Sequence, residues 1–385
     1  MEIHIPHFRL RRLLFIQMLL PMLLWTAIGS NPVVAQQNNT SAATDTLEKA
    51  GEAELGFGNG SFIVAPIPLK DPTLGTGLVL TAGYLFKADA GSDTSFVGFA
   101  GMRTSNGSEG YGAAANFYFG EGVWSVQSAV GRADVNYELS SVGSLDFGTI
   151  PISQEGSFVR IKGGYLVREN LTIGLDTAYL ETTARLNSSA GFVPVDVPGF
   201  GLKVKELLIG PSIEWDGRDD NVYPTKGVFG SLTIQKGIAQ EGLDRDFWKS
   251  GASGALYTPV GENGVFAANF TACTTSDGTP FFNLCGVGTT DGLRGYSAGQ
   301  FLDNALLSAQ AEYRHRFSQR WGGVGFAGVS AVGDSFADLS SGPYFGGGLG
   351  VRYRLSKKFP LDFSTDITLN DAGDSFTYIY IGQSF

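Results

Sequence analysis

Runs in which apolar and polar residues alternate recur from residue 61 to the end of the sequence. Residues 171–179 (LTIGLDTAY) form one such run. Residues 309–317 (AQAEYRHRF) form another, and they place Glu312, Arg314 and Arg316 on one face. Successive side chains of a strand point to opposite sides, so each run predicts a β-strand with one apolar and one polar face. Charged second faces suit a water-filled lumen and are unusual in the core of a soluble sandwich.

The spacing of these runs predicts an all-β fold, a transmembrane antiparallel β-barrel of about sixteen strands, with about fourteen as the alternative. Short and long connections alternate, as in barrels that have short periplasmic turns and long external loops, and this parity places both termini in the periplasm. Strands are expected to start near residues 61, 76, 95, 109, 121, 154, 169, 202, 226, 247, 264, 303, 320, 342, 360 and 375. Long loops are expected at 139–153, 183–200, 237–246, 273–302 and 333–341.

The first predicted strand carries two prolines, Pro66 and Pro68, which lack N–H donors on the same edge. Proline in a strand is tolerated at an edge or at a weak seam. We therefore hypothesise a thinned seam between the first and last strands, with the terminal aromatic Phe385 at its end. The alternative is that the two prolines only end the strand at the external rim.

The N-terminus has the pattern of a secretory signal peptide. Basic residues precede an apolar stretch at 13–28, and the small residues around 33–35 suit cleavage before residue 36. A retained membrane anchor is the alternative. The chain is therefore divided into a signal peptide at 1–35, a short polar periplasmic leader at 36–60 and an outer-membrane barrel domain at 61–385. No later segment has the roughly 20 apolar residues that a transmembrane helix needs.

Composition and charge narrow the class of protein further. The sequence contains 54 Gly, 28 Phe and 14 Tyr, which suits a barrel with aromatic belts. Removing three arginines and one glutamate with the signal peptide leaves 24 basic and 36 acidic residues, a net charge of −12. Such an acidic chain is not expected to bind nucleic acid.

Residues that support catalysis or metal binding are scarce. His315 is the only histidine after the signal peptide, and alternation puts it with Tyr313 and Phe317 on the lipid side near the periplasmic rim. No nucleophile elbow, phosphate loop or zinc motif is present, so neither an enzyme, a cofactor nor a metal is expected. Because the periplasm is oxidising, Cys273 and Cys285 are expected to form a disulfide that clamps the longest loop.

Two segments together resemble the barrel of the BamA/TamA-type outer-membrane insertase superfamily, the bacterial surface antigen proteins. The first is similar to the D-x-R-D-N-x-x-x-P-x-x-G turn of that family, and the second, in the long loop, to its R-G-F/Y tip. The last strand, ending in Phe385, is also similar. The matching turn residues are Asp216, Arg218, Asp220, Asn221, Pro224 and Gly227, and the tip is Arg294, Gly295 and Tyr296.

The resemblance implies that the long loop folds into the lumen and that Arg294 meets acidic wall residues, of which Glu312 occupies one matching position. A second carboxylate is expected near Gly328, where this sequence has none, so Asp366 or Asp362 is the candidate substitute. An ordinary solvated loop arginine is the alternative for Arg294. In a neighbouring strand, glycines on one face would let a loop approach the wall closely; they are Gly346, Gly348 and Gly350.

Two functions are compatible with these features. The first is assembly, in which the barrel inserts or translocates outer-membrane proteins through its seam, with outer-membrane lipid and unfolded client proteins as partners. The second is a passive channel or structural barrel. Family members usually carry soluble periplasmic domains, and the leader at 36–60 is too short for one. Whether the barrel forms a homodimer or works with a separate periplasmic partner is left open by the sequence.

Overall fold

A computed structural model of the protein describes residues 60–187, 197–221, 223–339, 343–355 and 362–385. The predicted signal peptide and leader, residues 1–35 and 36–60, lie outside this part except for Gly60. Eighteen strands are present in the described residues, and sixteen of them form one closed antiparallel barrel. The barrel strands are β1 Ser61–Asp71, β2 Gly75–Phe86, β3 Ser95–Thr104, β4 Glu109–Phe119, β5 Trp124–Val142, β6 Leu145–Arg168, β7 Leu171–Leu186, β8 Lys203–Asp216, β9 Gly227–Glu241, β10 Phe247–Val260, β11 Gly264–Thr275, β14 Ala305–Arg316, β15 Trp321–Gly333, β16 Tyr344–Arg354, β17 Asp362–Asn370 and β18 Ser375–Ile381.

The predicted fold class and the count of sixteen are confirmed. One predicted loop is wrong, because β5 continues to Val142 and β6 begins at Leu145, so 139–153 belongs mostly to a hairpin. β7 and β9 likewise continue into the predicted loops 183–200 and 237–246. β5 has 19 residues and β6 has 24, whereas roughly 9–11 residues of a strand cross a bilayer, so the ends of these strands extend beyond the length needed to span it.

The extended strands carry an apolar face that covers the end of the barrel with the long connections, which we call the loop end. Tyr137 and Leu139 of β5 and Ile152 of β6 are buried there. They belong to one cluster with Phe281 and Leu302 of the long loop. This cluster holds the outer part of the loop over the lumen, since apolar side chains are stabilised by removal from water.

The connection between β11 and β14 is the loop predicted to enter the lumen. It contains the two short strands β12 Cys285–Gly286 and β13 Phe301–Asp303, which pair with each other. β13 also pairs with the end of β5. A disulfide between Cys273 and Cys285 ties β12 to the end of β11. The stretch between the two short strands descends into the lumen, where Leu293 and Arg294 are 2% and 5% exposed.

The outer surface of the barrel is apolar. Phe62 of β1 and Leu349 of β16, for example, are 78% and 73% exposed. Such a surface fits the hydrocarbon of a bilayer. In the described part of the chain, no helix is long and apolar enough to cross a membrane.

Candidate functional site

The loop tip contacts the barrel wall through Arg294. Its guanidinium donates to Glu312 Oε2 of β14 at 2.7 Å and to Asp366 Oδ2 of β17 at 2.6 Å. Its Cζ lies 3.4 Å from the centroid of the Phe326 ring on β15. Arg294 is therefore buried and paired, and it is not a solvated loop arginine. Of the two candidates for the second carboxylate, Asp366 is the one in contact.

Each carboxylate at the tip also binds a second arginine from the wall. Glu312 accepts a hydrogen bond from Arg314 Nε at 2.6 Å, and Asp366 accepts one from Arg352 at 2.5 Å. All four wall side chains are at most 2% exposed. Charge-assisted pairs of this kind orient the groups they join, and breaking one leaves an uncompensated charge.

Small wall residues make the close docking of the tip sterically feasible. A Cβ at Gly346 would lie 2.3 Å from the carbonyl oxygen of Arg294, which is too close for any side chain. A Cβ at Gly328 would lie 2.6 Å from Leu293 Cδ1. Position 328, where the resemblance suggested a carboxylate, is thus occupied by the tip itself. The backbones meet at Gly346, whereas Gly348 and Gly350 face atoms of β17.

Other lumen charges are also paired within the wall. Asp362 does not reach the tip, because it binds Arg316 and, at 2.7 Å, Arg354. Further pairs join β6 to β7 and β6 to β8. They are Arg160–Asp176 and Lys162–Glu214. These pairs neutralise part of the charge on the described lumen wall, and the loop crosses the lumen.

The segment between β8 and β9, which carries the signature turn, folds under the lumen at the opposite end of the barrel, which we call the turn end. Asp216 accepts two hydrogen bonds from Arg218 at 2.9 and 2.8 Å, and Asp220 accepts one from the N–H of Tyr223. The carbonyl oxygen of Pro224 lies 3.4 Å from Arg314.

The remaining signature residues shape this turn. Gly227 has φ +109°, and a Cβ there would lie 2.3 Å from the carbonyl oxygen of Gly217. Only glycine combines that conformation with that contact. Asn221 and Pro224 line a cavity of about 270 Å³, with the loop tip Arg294 on its other side. The turn and the tip are therefore the two sides of one central chamber.

The first and last strands are joined by very little pairing. β1 pairs with β2 along its whole length, but it pairs with β18 only at Lys70 and Ile379. The alternative that prolines end the first strand is wrong, since β1 continues to Asp71. The strand continues through Pro66 and Pro68. Because proline has no N–H, one of the two edges of β1 lacks two hydrogen-bond donors.

The edge concerned follows from the hydrogen-bond parity of the sheet. The N–H of Ser105 donates to the carbonyl oxygen of Thr76, so even-numbered residues of β2 direct their main-chain groups at β3. Odd-numbered residues of β2, and their odd-numbered partners such as Ile67 in β1, then face each other. The even-numbered Pro66 and Pro68 consequently face β18.

The end of the chain leaves the wall after β18. The N–H of Gly382 still donates to the carbonyl oxygen of Asp362, and its φ of +98° turns the chain inward. Phe385 then packs against Tyr257 and Ala267 of β10 and β11. The prediction that places Phe385 at the seam is wrong in this structure, because the inward turn carries it across the lumen to the far wall.

The described residues contain no group of His, Cys, Asp and Glu side chains that could hold a metal ion. His315 lies beside Tyr313 and Phe317 at the turn-end rim, with ring centroids 6.0 and 5.3 Å away. Phe317 is 70% exposed. The histidine thus sits in an aromatic belt on the lipid side, away from the loop tip.

Residues 124–385 match the Omp85 superfamily domain. The chain belongs to the Omp85 superfamily. Its sequence resemblance to the BamA/TamA-type barrels is thereby confirmed, as is its outer-membrane β-barrel class. Omp85 proteins are insertases or transporters without enzymatic activity, in agreement with the absence of catalytic motifs.

Solved structures share the fold of this Omp85 barrel. BamA from Haemophilus ducreyi lacking POTRA domains 1-3 superposes with a TM-score of 0.55 at 14% identity, over 91% of this chain and 80% of that one. CdiB from Escherichia coli gives 0.54 at 13% identity, over 85% and 68%. CdiB from Acinetobacter baumannii gives 0.52 at 11% identity, over 92% and 74%. No curated protein matches the sequence significantly.

Three residues that touch the tip were not predicted from the sequence, namely Phe326, Tyr378 and Tyr380. The hydroxyl of Tyr378 accepts a hydrogen bond from the N–H of Gly295 at 2.8 Å. The hydroxyl of Tyr380 donates to Asp366 at 2.8 Å. A signal was present, because the two tyrosines alternate with isoleucines in the last strand and so share its lumen face.

Proposed function

We propose that this Omp85 barrel assists the insertion or translocation of outer-membrane proteins, that its seam receives client strands, and that its turn end faces the periplasm. The observation that carries the proposal is the single pair between β1 and β18. The long hairpin of β5 and β6 and the long connection between β11 and β14, both at the loop end, support the orientation, since outer-membrane barrels carry their longer loops outside.

The seam leaves main-chain groups of β1 without a partner strand. Because β18 ends at Ile381, the part of β1 before Pro68 has no residue of β18 opposite it. Unpaired N–H and C=O groups are costly in hydrocarbon, where no water can bind them. An added strand from a client would satisfy them by β-augmentation, and Pro68 weakens the native pairing that competes with it.

The loop tip supports assembly over a passive channel. A passive channel needs a continuous hydrated path, whereas the loop tip crosses the lumen and Arg294 is paired there with Glu312 and Asp366. The tip residues Leu293 and Arg294 occupy the lumen and are buried there. We infer that the arginine contact holds the loop in one position in the closed barrel, and that assembly needs the loop placed there.

The test uses purified protein comprising residues 36–385 in liposomes and follows the folding rate of an added, urea-unfolded outer-membrane barrel. We expect faster folding than in empty liposomes and a loss of that acceleration in Arg294→Ala. Arg185→Ala is the matched control, because Arg185 is exposed on the loop-end extension, 3.7 Å from Glu155. No acceleration by the wild type, together with steady ion conductance, would refute the assembly role in favour of a passive channel.

A further inference from the structure

The loop tip contacts both sides of the seam. These contacts are separate from the ion pairs of Arg294 with the wall. On the β18 side, the N–H of Gly295 donates to the hydroxyl of Tyr378 at 2.8 Å. On the β1 side, the N–H of Ala298 donates to Thr73 Oγ1, in the turn after β1, at 2.7 Å. Residues 294–298 therefore span the junction of the first and last strands from the lumen.

The contacts on β18 flank the one position at which the seam is paired. Ile379, the partner of Lys70, lies between Tyr378 and Tyr380. The Gly382-to-Asp362 bond sets the parity of β18, so Ile379 directs its main-chain groups at β1. The tyrosine hydroxyls point into the lumen, where both residues are less than 9% exposed.

Tyr380 links the same strand to the arginine cluster. Its hydroxyl donates to Asp366 at 2.8 Å and accepts a hydrogen bond from Arg352 at 2.9 Å. Asp366 is also the second carboxylate that holds Arg294. Movement of β18 away from β1 would therefore strain the pair that fixes the tip.

We propose that residues 294–298 act as a clamp across the seam, with Tyr378, Tyr380 and Thr73 as its positioning residues. The clamp must disengage before β1 and β18 separate. The cavity of about 270 Å³ beside the tip gives it room to move toward the signature turn. Because coupling is reciprocal, separation of the strands also loosens the tip. Only the purpose of seam opening, which is the entry of client strands, rests on the proposed function.

The first experiment measures amide exchange in the reconstituted full chain. In Tyr378→Phe we expect exchange at 69–71, 378–381 and 292–299 to quicken by roughly tenfold, since one buried hydrogen bond is lost. Thr73→Val removes the contact on the β1 side of the clamp and should quicken exchange in the same peptides. The matched control is Tyr118→Phe, because the Tyr118 hydroxyl contacts Asn116 on β4, away from the seam. Faster exchange in the loop with an unchanged seam, in both variants, would overturn the clamp.

The second experiment tests the reverse direction. Lys70→Cys with Ile379→Cys, oxidised to a disulfide, closes the seam covalently; directly opposed residues of a hydrogen-bonded pair have a suitable Cα separation of about 5.5 Å. Added to Tyr378→Phe, this cross-link should restore slow exchange at 292–299, and Lys70→Cys or Ile379→Cys alone, which cannot form it, should not. If amide exchange at 292–299 is the same with and without the cross-link, the tip and the seam are not coupled. Coupled exchange with no client insertion by any variant would overturn the proposed function and leave the clamp standing.

Discussion

Replacing Pro68 with alanine should strengthen the seam, and the register explains why. Lys70 of β1 pairs with Ile379 of β18, and the two strands are antiparallel. The next hydrogen-bonded pair in this register is therefore Pro68 with Ile381. Proline has no N–H to donate to Ile381, so that pair keeps at most one of its two bonds. Pro68→Ala restores the donor where the acceptor strand is still part of the wall, because β18 extends to Ile381.

The expected magnitude is that of one main-chain hydrogen bond, about 1 kcal/mol net. One kcal/mol corresponds to roughly a fivefold lower open population, given that about 1.4 kcal/mol is tenfold. Pro66→Ala is the matched control. Its register partner is Gln383, which has left the wall and is held by Asp362 at 2.8 Å, so a donor at residue 66 gains no acceptor.

The assay is amide exchange at 69–71 and 378–381, in parallel with the client-folding rate. We expect exchange at the seam to slow by roughly fivefold in Pro68→Ala and to stay unchanged in Pro66→Ala. Client folding should slow in the same variant, because a more stable seam opens less often. Equal exchange rates in the two variants would refute the assignment of the prolines to the edge that faces β18. Slower exchange at the seam with an unaltered rate of client folding would refute the role of the seam in assembly.

Two further substitutions test the packing of the site. Gly346→Ala puts a Cβ 2.3 Å from the Arg294 carbonyl oxygen. Amide exchange at 292–299 should quicken by tenfold or more, since roughly 1.5–3 kcal/mol of charge-assisted bonding is lost. Gly325→Ala, whose Cβ meets only Leu349 at 3.5 Å, should leave that exchange unchanged. Gly227→Ala should destabilise the barrel by roughly 1–3 kcal/mol in thermal unfolding. Gly261→Ala, which has positive φ but open space, should cost less, and equal losses would contradict the steric reasoning.

The barrel was predictable because alternation is a local property of the sequence. Predicted strand starts lie within three residues of the observed ones except at β6, which begins at Leu145 instead of near residue 154. There the sequence resembles a loop, with turn-forming residues at Gly143 and Ser144, yet only the tip of the hairpin is a turn. Its pairing depends on apolar contacts with the distant loop residues Phe281 and Leu302, which no local pattern records.

The site was predictable where a motif or a face fixed it. Glu312 was located by its match to the family and by its polar face, and Asp366 was one of two candidates. Alternation could not choose between Asp362 and Asp366, since they lie on the same face of β17. The choice depends on the depth that the loop reaches. The inward turn of Phe385 was missed because an apolar residue in register with the lipid face gives no signal of leaving the wall.

The same packing explains why the second carboxylate lies on β17. Leu293 of the tip fills the space over Gly328, so a longer side chain on β15 would displace the tip. A carboxylate that reaches the other side of the guanidinium must then come from a strand nearer the end of the barrel. Asp366 meets that need and brings the tip within reach of Tyr380 on the last strand. A steric requirement on one wall strand thus connects the loop tip to the seam, so in this barrel the two respond together.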